Sequence, residues 1–288
     1  MNLTKSKIQK SVSLNIVNFP ETYEEILNES EIMGIMLGDG YLGPYYARLK
    51  VINKDFIENF SNLIQNTYKI EAPIIKRDYY ECYVTDKLLR KRFKELLPNK
   101  SIPKFILNGD TNIKARFIRG FSDSEGCVDC THNRRQIVIT QLNVEILRIL
   151  QKFLLDIGIQ STLIIKKIGC PQIIISLLEN LQKYHDLIGF SIGYKQKKLE
   201  EAIAYLRKYK AHNKEKYWQV LRYWIFSEKS LRSSAKEFDM NWETFRSWIY
   251  GMKMPCQIKK DIEVGWVPKD YEELRENYTF LPKLTSND

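Results

Sequence analysis

Two nine-residue stretches hold the residues best suited to chemistry. Residues 32–40 read IMGIMLGDG and residues 118–126 read IRGFSDSEG, so Gly34 matches Gly120, Asp39 matches Glu125 and Gly40 matches Gly126 at a constant offset. Each motif ends an apolar helical run in a carboxylate, where the negative end of the helix dipole disfavours it by a few tenths to about 1 kcal/mol. Gly34 and Gly38 are one turn apart, as are Gly120 and Ser124, so each helix has a stripe of small side chains on one face. If the two stripes pack together, Asp39 and Glu125 meet, with Gly40 and Gly126 placed for left-handed caps. Two carboxylates at two negative helix ends need a positive partner. A hard divalent cation bound by carboxylate, carbonyl and water oxygens supplies it.

The segments that follow each motif also match. YARLKVIN and RRQIVITQ alternate like strands, and KDFIENFSNLIQNTYKI and NVEILRILQKFLLDIGI are apolar at helical spacing. PIIKRD and YYECYVT in one copy, and STLIIKK and QIIISLL in the other, predict two more strands each. A closing helix follows around 86–97 and 177–187. The expected fold is α+β: two pseudo-twofold-related αββαββα units with antiparallel sheets, spanning 28–110 and 111–206, after an N-terminal extension of 1–27.

The paired motifs, their spacing and the element order after them resemble the LAGLIDADG homing endonucleases, in the single-chain, two-motif form; the likeness covers roughly residues 28–206. That resemblance implies cleavage of both strands of a long, asymmetric double-stranded DNA site across its minor groove, by a monomer, with the two sheets in the major groove. It implies metal binding by Asp39 and Glu125 and by the carbonyls of Gly38 and Ser124. The ion would be Mg²⁺, with Mn²⁺ able to replace it and Ca²⁺ as a non-catalytic substitute. Gln141, at the end of IVITQ, and Asn53, taken as its counterpart in LKVIN, match positions where the family orients water; an ordinary helix N-cap is the other reading of both. Lys195 in IGYKQKKL matches a basic position near the scissile phosphate, and its first-half counterpart is ambiguous between Lys100 and Lys104. Arg48, Lys50 and Lys76 in the first half, and Arg134, Arg135 and Lys166 in the second, are expected to contact DNA. This chain departs from the pattern at the sixth motif position, acidic in Asp123 but Leu37 in the first copy, and in carrying Met33 and Met36. Those changes touch helix packing rather than the metal acids.

Composition agrees with a polyanionic partner. The net charge is +10, with 17 Tyr and 5 Trp, and 44% apolar residues supply real cores. No segment approaches a membrane span and no secretory signal opens the chain, so a soluble, intracellular protein is expected. Neither end has the nucleophile or the terminal His–Asn pair of an intein, which points to a free-standing protein. Five irregularly spaced cysteines argue against a disulfide framework. Cys127, Cys130 and His132 lack the second pair that a zinc site needs.

Beyond 206, the basic stretch RKYKAHNKEKYW is expected to end one unit and lead to another, at 207–288. There LRSSAKEF, DMN and WETFRSWIYG fit helix, turn and helix, after an earlier helix KYWQVLRYWIF. Asp239 occupies the turn position where a left-handed backbone is needed. Asn241, Trp242, Thr244 and Arg246 would lie near the exposed start of a recognition helix. The acidic tail DYEELRENYTFLPKLTSND would wrap back or fray. Two other functions remain open at this level: a non-cleaving transcriptional regulator, and an intron-splicing factor (maturase) that binds RNA.

Overall fold

The computed structural model describes residues 19–131, 134–165 and 169–283, without the side chains of 208–213. They fall into two units, Met1–Ile203 and Ala204–Asp288.

In the first unit the chain runs α1 (Tyr23–Gly38), β1 (Gly40–Leu42), β2 (Ala47–Val51), α2 (Lys54–Tyr68), β3 (Ile74–Lys76), β4 (Tyr80–Val84) and α3 (Lys87–Leu96). A 3-10 turn and α4 (Lys104–Leu107) lead to α5 (Thr111–Glu125), where the series repeats. The second copy is α5, β5 (Gly126–Asp129), β6 (Gln136–Thr140), α6 (Val144–Asp156), β7 (Thr162–Ile164), β8 (Gln172–Ile175) and α7 (Leu178–Leu187), followed by α8 (Gly193–Ile225). The sheets have the same order, β1-β2-β4-β3 and β5-β6-β8-β7, and every pairing is antiparallel. The expected α+β repeat is therefore present twice.

Local chemistry sets the helix starts. Thr22 and Glu25 form a capping box on α1, and Asp110 accepts the Asn112 and Ile113 N–H groups at the start of α5. Asn53 and Asn143 cap α2 and α6 in the same way. On the strands, alternation sends one set of side chains inward: Leu49, Cys82 and Val84 in one sheet, Ile137, Ile139, Ile173 and Ile175 in the other, all buried. Phe56, Phe60 and Ile64 of α2, and Leu150, Phe153 and Leu154 of α6, are buried as the matching helical stripes.

Between the copies, α1 and α5 pack in parallel with their backbones almost touching. A side-chain carbon at Gly34 would lie 2.3 Å from the Phe117 carbonyl oxygen, and one at Gly120 would lie 2.2 Å from that of Glu31. Only glycine permits this approach. Farther from the tips, Glu31 pairs with Arg116 at 2.9 Å across the two helices, and Glu29 receives a two-pronged contact from Arg92 at 2.7 and 2.9 Å. Both glutamates are buried; losing Arg92 would leave Glu29 a costly unpaired charge, whereas Glu31 would keep Arg119 at 3.7 Å.

Gly40 and Gly126 are not left-handed caps, contrary to expectation. Gly126 has an extended backbone at φ −103°, and neither is among the positive-φ glycines. They are the first residues of β1 and β5, and a side-chain carbon there would lie 2.5 Å from the Met36 carbonyl oxygen or 2.6 Å from that of Ser122. Each glycine lets a strand leave directly over the last helical turn.

The second unit takes in the end of α8 together with α9 (Leu231–Glu237), α10 (Trp242–Ile249), α11 (Cys256–Glu263) and α12 (Tyr271–Asn277). Tyr217, Leu221, Phe245, Trp248, Ile258 and Leu274 are among its core residues. Asp239 has φ +46° and ends α9 with the Met240 N–H bonded to the Ala235 carbonyl, so Asp does take the left-handed turn. The basic stretch from 207 is helical, within α8. The tail does not fray through its described part: Tyr278 Oη donates to the Leu221 carbonyl at 2.8 Å, and Arg222 holds Asp270 with two contacts.

Candidate metal and nucleic-acid site

Parallel packing of α1 and α5 sets their negative ends side by side. Asp39 is the residue just after α1 and Glu125 the last of α5. A side-chain carbon at Gly38 would meet Ser124 Cβ at 2.4 Å and Glu125 Cγ at 3.3 Å, so the Glu125 arm starts over the residue that precedes Asp39. Loss of hydration raises both carboxyls above their ordinary pKa. For Glu125 the Asp39 charge adds to the rise, while Lys100 and Lys195 oppose it. Asp39 is accessible on its outer side, yet it still rests on packed helix ends.

Lys195 is the nearest buried cation, at 6% exposure, but its ammonium is committed to backbone. Nζ donates to the Asp123 carbonyl at 2.6 Å and to the Ser122 carbonyl at 3.3 Å, in the last turn of α5, where Ser122 also accepts the Gly126 N–H. Burial lowers its pKa, against the pull of the Asp123, Asp39 and Glu125 charges. Asp123 pins the preceding loop: its Oδ2 accepts from Ser191 N at 3.1 Å and Ser191 Oγ at 2.6 Å, and burial pushes its carboxyl up to about 6. The lysine thus steadies the helix tip and neutralises its carbonyls, while the two carboxylates keep negative charge of their own. A hard-oxygen donor set short of positive charge fits a divalent cation. Among the described residues, no cluster of three or more His, Cys, Asp or Glu side chains forms a metal site by itself. Cys127 and Cys130 are free thiols, and His132 lies outside the described residues. For the first half, Lys100 is the lysine whose charge reaches Glu125; it is exposed and left-handed at φ +55°, whereas Lys104 opens α4.

Gln141 reaches the acids. Its Nε2 lies 3.4 Å from Glu125 Oε1, and its own Oε1 accepts the Leu142 N–H at 2.7 Å, which fixes the amide. Asn53 is a different case. The strand registers Gly40↔Leu49 and Gly126↔Ile139 make Val51 the counterpart of Gln141 and Asn143 the counterpart of Asn53. Asn53 Oδ1 accepts the Phe56 N–H at 2.9 Å, the N-cap role, so the first half has an apolar residue where the second has an amide.

The expected DNA-contacting residues divide by face. Arg48 and Lys50 lie on the face of the first sheet turned away from the helices. Arg48 is held by Glu81 at 3.1 Å and flanked by Tyr41 and Tyr46, and Lys50 Nζ sits 3.4 Å from the Tyr79 ring centroid. Lys76 does not share that face: it pairs with Tyr80 and Tyr80 with Val51, so strand parity puts it on the helix side, at the sheet edge. Arg134 is exposed and 3.6 Å from Asp129; Arg135 bonds the Cys130 carbonyl at 3.2 Å; Lys166 lies outside the described residues. In the second unit Asn241 Oδ1 caps α10 through the Glu243 N–H and Trp242 packs partly on the core, while Thr244 and Arg246 are exposed. The tyrosines around Arg48 and Lys50 went unnoticed in sequence, although the alternation of YECYV carries Tyr83. The Asp123–Ser191 link joins residues far apart in the chain and has no local signal.

A LAGLIDADG-like domain model matches residues 112–189, the second copy. Homing endonuclease I-ApeI of Aeropyrum pernix is 26% identical over 57% of this chain and 80% of its own length. A glutamine–fructose-6-phosphate aminotransferase of Methanocaldococcus jannaschii is 28% identical over 69% of this chain, which spans 19% of that protein. Among solved structures, I-DmoI in complex with DNA and Ca is 20% identical, with a TM-score of 0.48 over 62% of this chain and 98% of that one. Full-length DUF199/WhiA from Thermatoga maritima is 15% identical, with a TM-score of 0.46 over 82% and 92%. One acid-tipped motif lies inside the matched domain and its repeat packs against it in the same fold, so the second copy is a LAGLIDADG-like domain and the chain is similar to the LAGLIDADG homing endonucleases.

Proposed function

We propose that this chain is a site-specific endonuclease that binds a long duplex DNA target and hydrolyses a phosphodiester bond in each strand, using divalent metal held by Asp39 and Glu125. One observation carries this reading: two carboxylates sit at the adjoining negative ends of parallel helices, and the buried lysine beside them is committed to carbonyls. A chain that only bound DNA would gain nothing from carboxylates turned toward phosphates. The net charge of +10 and the similarity to the homing endonuclease I-ApeI support the same direction.

Asp39 and Glu125, with the carbonyls of Gly38 and Ser124, would hold the ions. Bound Mg²⁺ supplies an activated water and charge stabilisation at the phosphate. Gln141, fixed by the Leu142 N–H and touching Glu125, orients a water beside the carboxylate. Lys195 keeps the α5 tip in place, and Lys100 presents a positive charge on the open side of Glu125. The outer faces of the sheets enter the major groove, and Thr244 and Arg246 of α10 extend the footprint.

The test is incubation of the chain with a duplex recovered by binding selection, in Mg²⁺ or in EDTA, for wild type and Asp39→Asn. Cutting of both strands in Mg²⁺, abolished by EDTA and by Asp39→Asn with binding kept, is the expected result. Selective binding with no cutting by the wild type would assign the chain as a DNA-binding regulator instead. Tighter binding to folded intron RNA than to duplex DNA would assign it as a splicing factor.

A further inference from the structure

The outer faces of the two sheets differ in a way that bears on which bases each half reads. In the first sheet, Tyr41, Arg48 and Lys50 share that face with Glu81 and Tyr83 through the register Tyr41↔Arg48↔Tyr83 and Lys50↔Glu81. The four strands of the second sheet read GCVD, QIVIT, TLI and QIII, with no lysine or arginine. Their outer face, set by strand parity, includes Gln136, Val138, Ile164, Gln172 and Ile174, which line one groove together with Cys127, Asp129 and Arg134.

Within that groove, Gln172 on β8 lies opposite Ile164 on β7, and Ile174, two residues along the same face, lies opposite Val138 on β6. Gln136 is braced, with Nε2 donating to Asp129 Oδ2 at 3.1 Å. The side chain of Gln172 has no hydrogen-bond partner among the described residues, so both ends of its amide can meet a base. A free amide that donates and accepts matches the N6 and N7 edge of adenine, and apolar side chains around it match the thymine methyl. Guanine is read mainly by Arg or Lys; these strands lack both, and Arg134, which also lines the groove, has its guanidinium 3.6 Å from the Asp129 carboxylate.

We propose that the second half of the chain reads an A·T-rich half-site, with Gln172 as its adenine reader among Val138, Ile164 and Ile174, while the first half reads its half-site through the charged and aromatic face around Arg48 and Lys50. The inference rests on the DNA-binding reading above and adds the composition of the target. It makes Gln172 a specificity-determining residue that takes no part in hydrolysis.

Selection of the full-length chain on randomised duplex DNA in EDTA, followed by sequencing of the bound fraction, tests it without any cleavage step. The expected profile is A·T-rich on one side only. Gln172→Glu should change one position on that side from A to C, by roughly tenfold or more, and Gln172→Ala should relax that position alone. Gln172 is partly exposed, and thermal unfolding of both variants verifies that they are folded. A selected site with G·C pairs on both sides, or an unchanged profile for folded Gln172→Glu, overturns this inference and leaves the endonuclease reading intact. Absence of any sequence-selective duplex binding by the wild type overturns both.

Discussion

The side-chain amide of Gln141 touches the Glu125 carboxylate, and its counterpart in the repeat is Val51. With Lys195 buried and bonded in the second half and Lys100 exposed in the first, the two halves are unequally assembled around the acids. The two strands should therefore be cut at different rates, so that nicked duplex accumulates. Gln141→Ala should slow one strand by about tenfold to a hundredfold and leave the other nearly unchanged. Equal slowing of both strands would contradict the asymmetry.

The helix pair tolerates no side chain at its crossing. Gly120→Ala forces a carbon onto the Glu31 carbonyl, a contact that rotamer changes cannot relieve. Overpacking of this kind costs about 1–3 kcal/mol, partly offset by the better helix propensity of Ala. Urea unfolding should show a loss of about 2 kcal/mol. An unchanged midpoint would mean that the helices sit farther apart.

The pH dependence of stability should carry the mark of Asp123. Its carboxyl is pushed up to about 6 in the folded chain, by burial above all, whereas an unfolded Asp titrates near about 4. Between those values the folded state keeps a proton that the unfolded state has lost, so stability falls as pH rises. Asp123→Asn should remove up to about 3 kcal/mol of that fall. Urea unfolding in EDTA at about pH 4 and pH 7 measures it, and a variant whose difference from wild type is the same at both would show that Asp123 is not raised.

Arg246 on α10 is exposed and available for phosphate. Arg246→Ala should weaken binding to all duplexes by a similar factor and lower the salt-dependence slope by about one. A change in sequence preference, with the slope intact, would make it a base reader.

Much of this was legible in sequence because the fold is written twice. The repeated glycine-to-acid spacing located the helix pair, and strand alternation located both sheets. Register was harder. Asn53 looked equivalent to Gln141 because each is a polar residue closing a strand, and only the pairing of Gly40 with Leu49 shows the two-residue offset. Lys76 shows the same sensitivity to register: a one-residue change in parity moves a side chain to the other face. Gly40 and Gly126 carry two uses of glycine that composition cannot separate, a left-handed cap and close approach of backbone. The Asp123–Ser191 and Lys195 contacts join the end of α5 to the start of α8, so they arise from tertiary packing alone.

Uptake of Mn²⁺ by the chain bound to its selected duplex, followed by the loss of the free-ion paramagnetic resonance signal, tests the acid pair most directly. Wild type should take up the ion, and Asp39→Asn and Glu125→Gln should each lose most of that uptake while still binding the duplex. Full uptake by both variants would contradict the placement of the metal between the two helix tips.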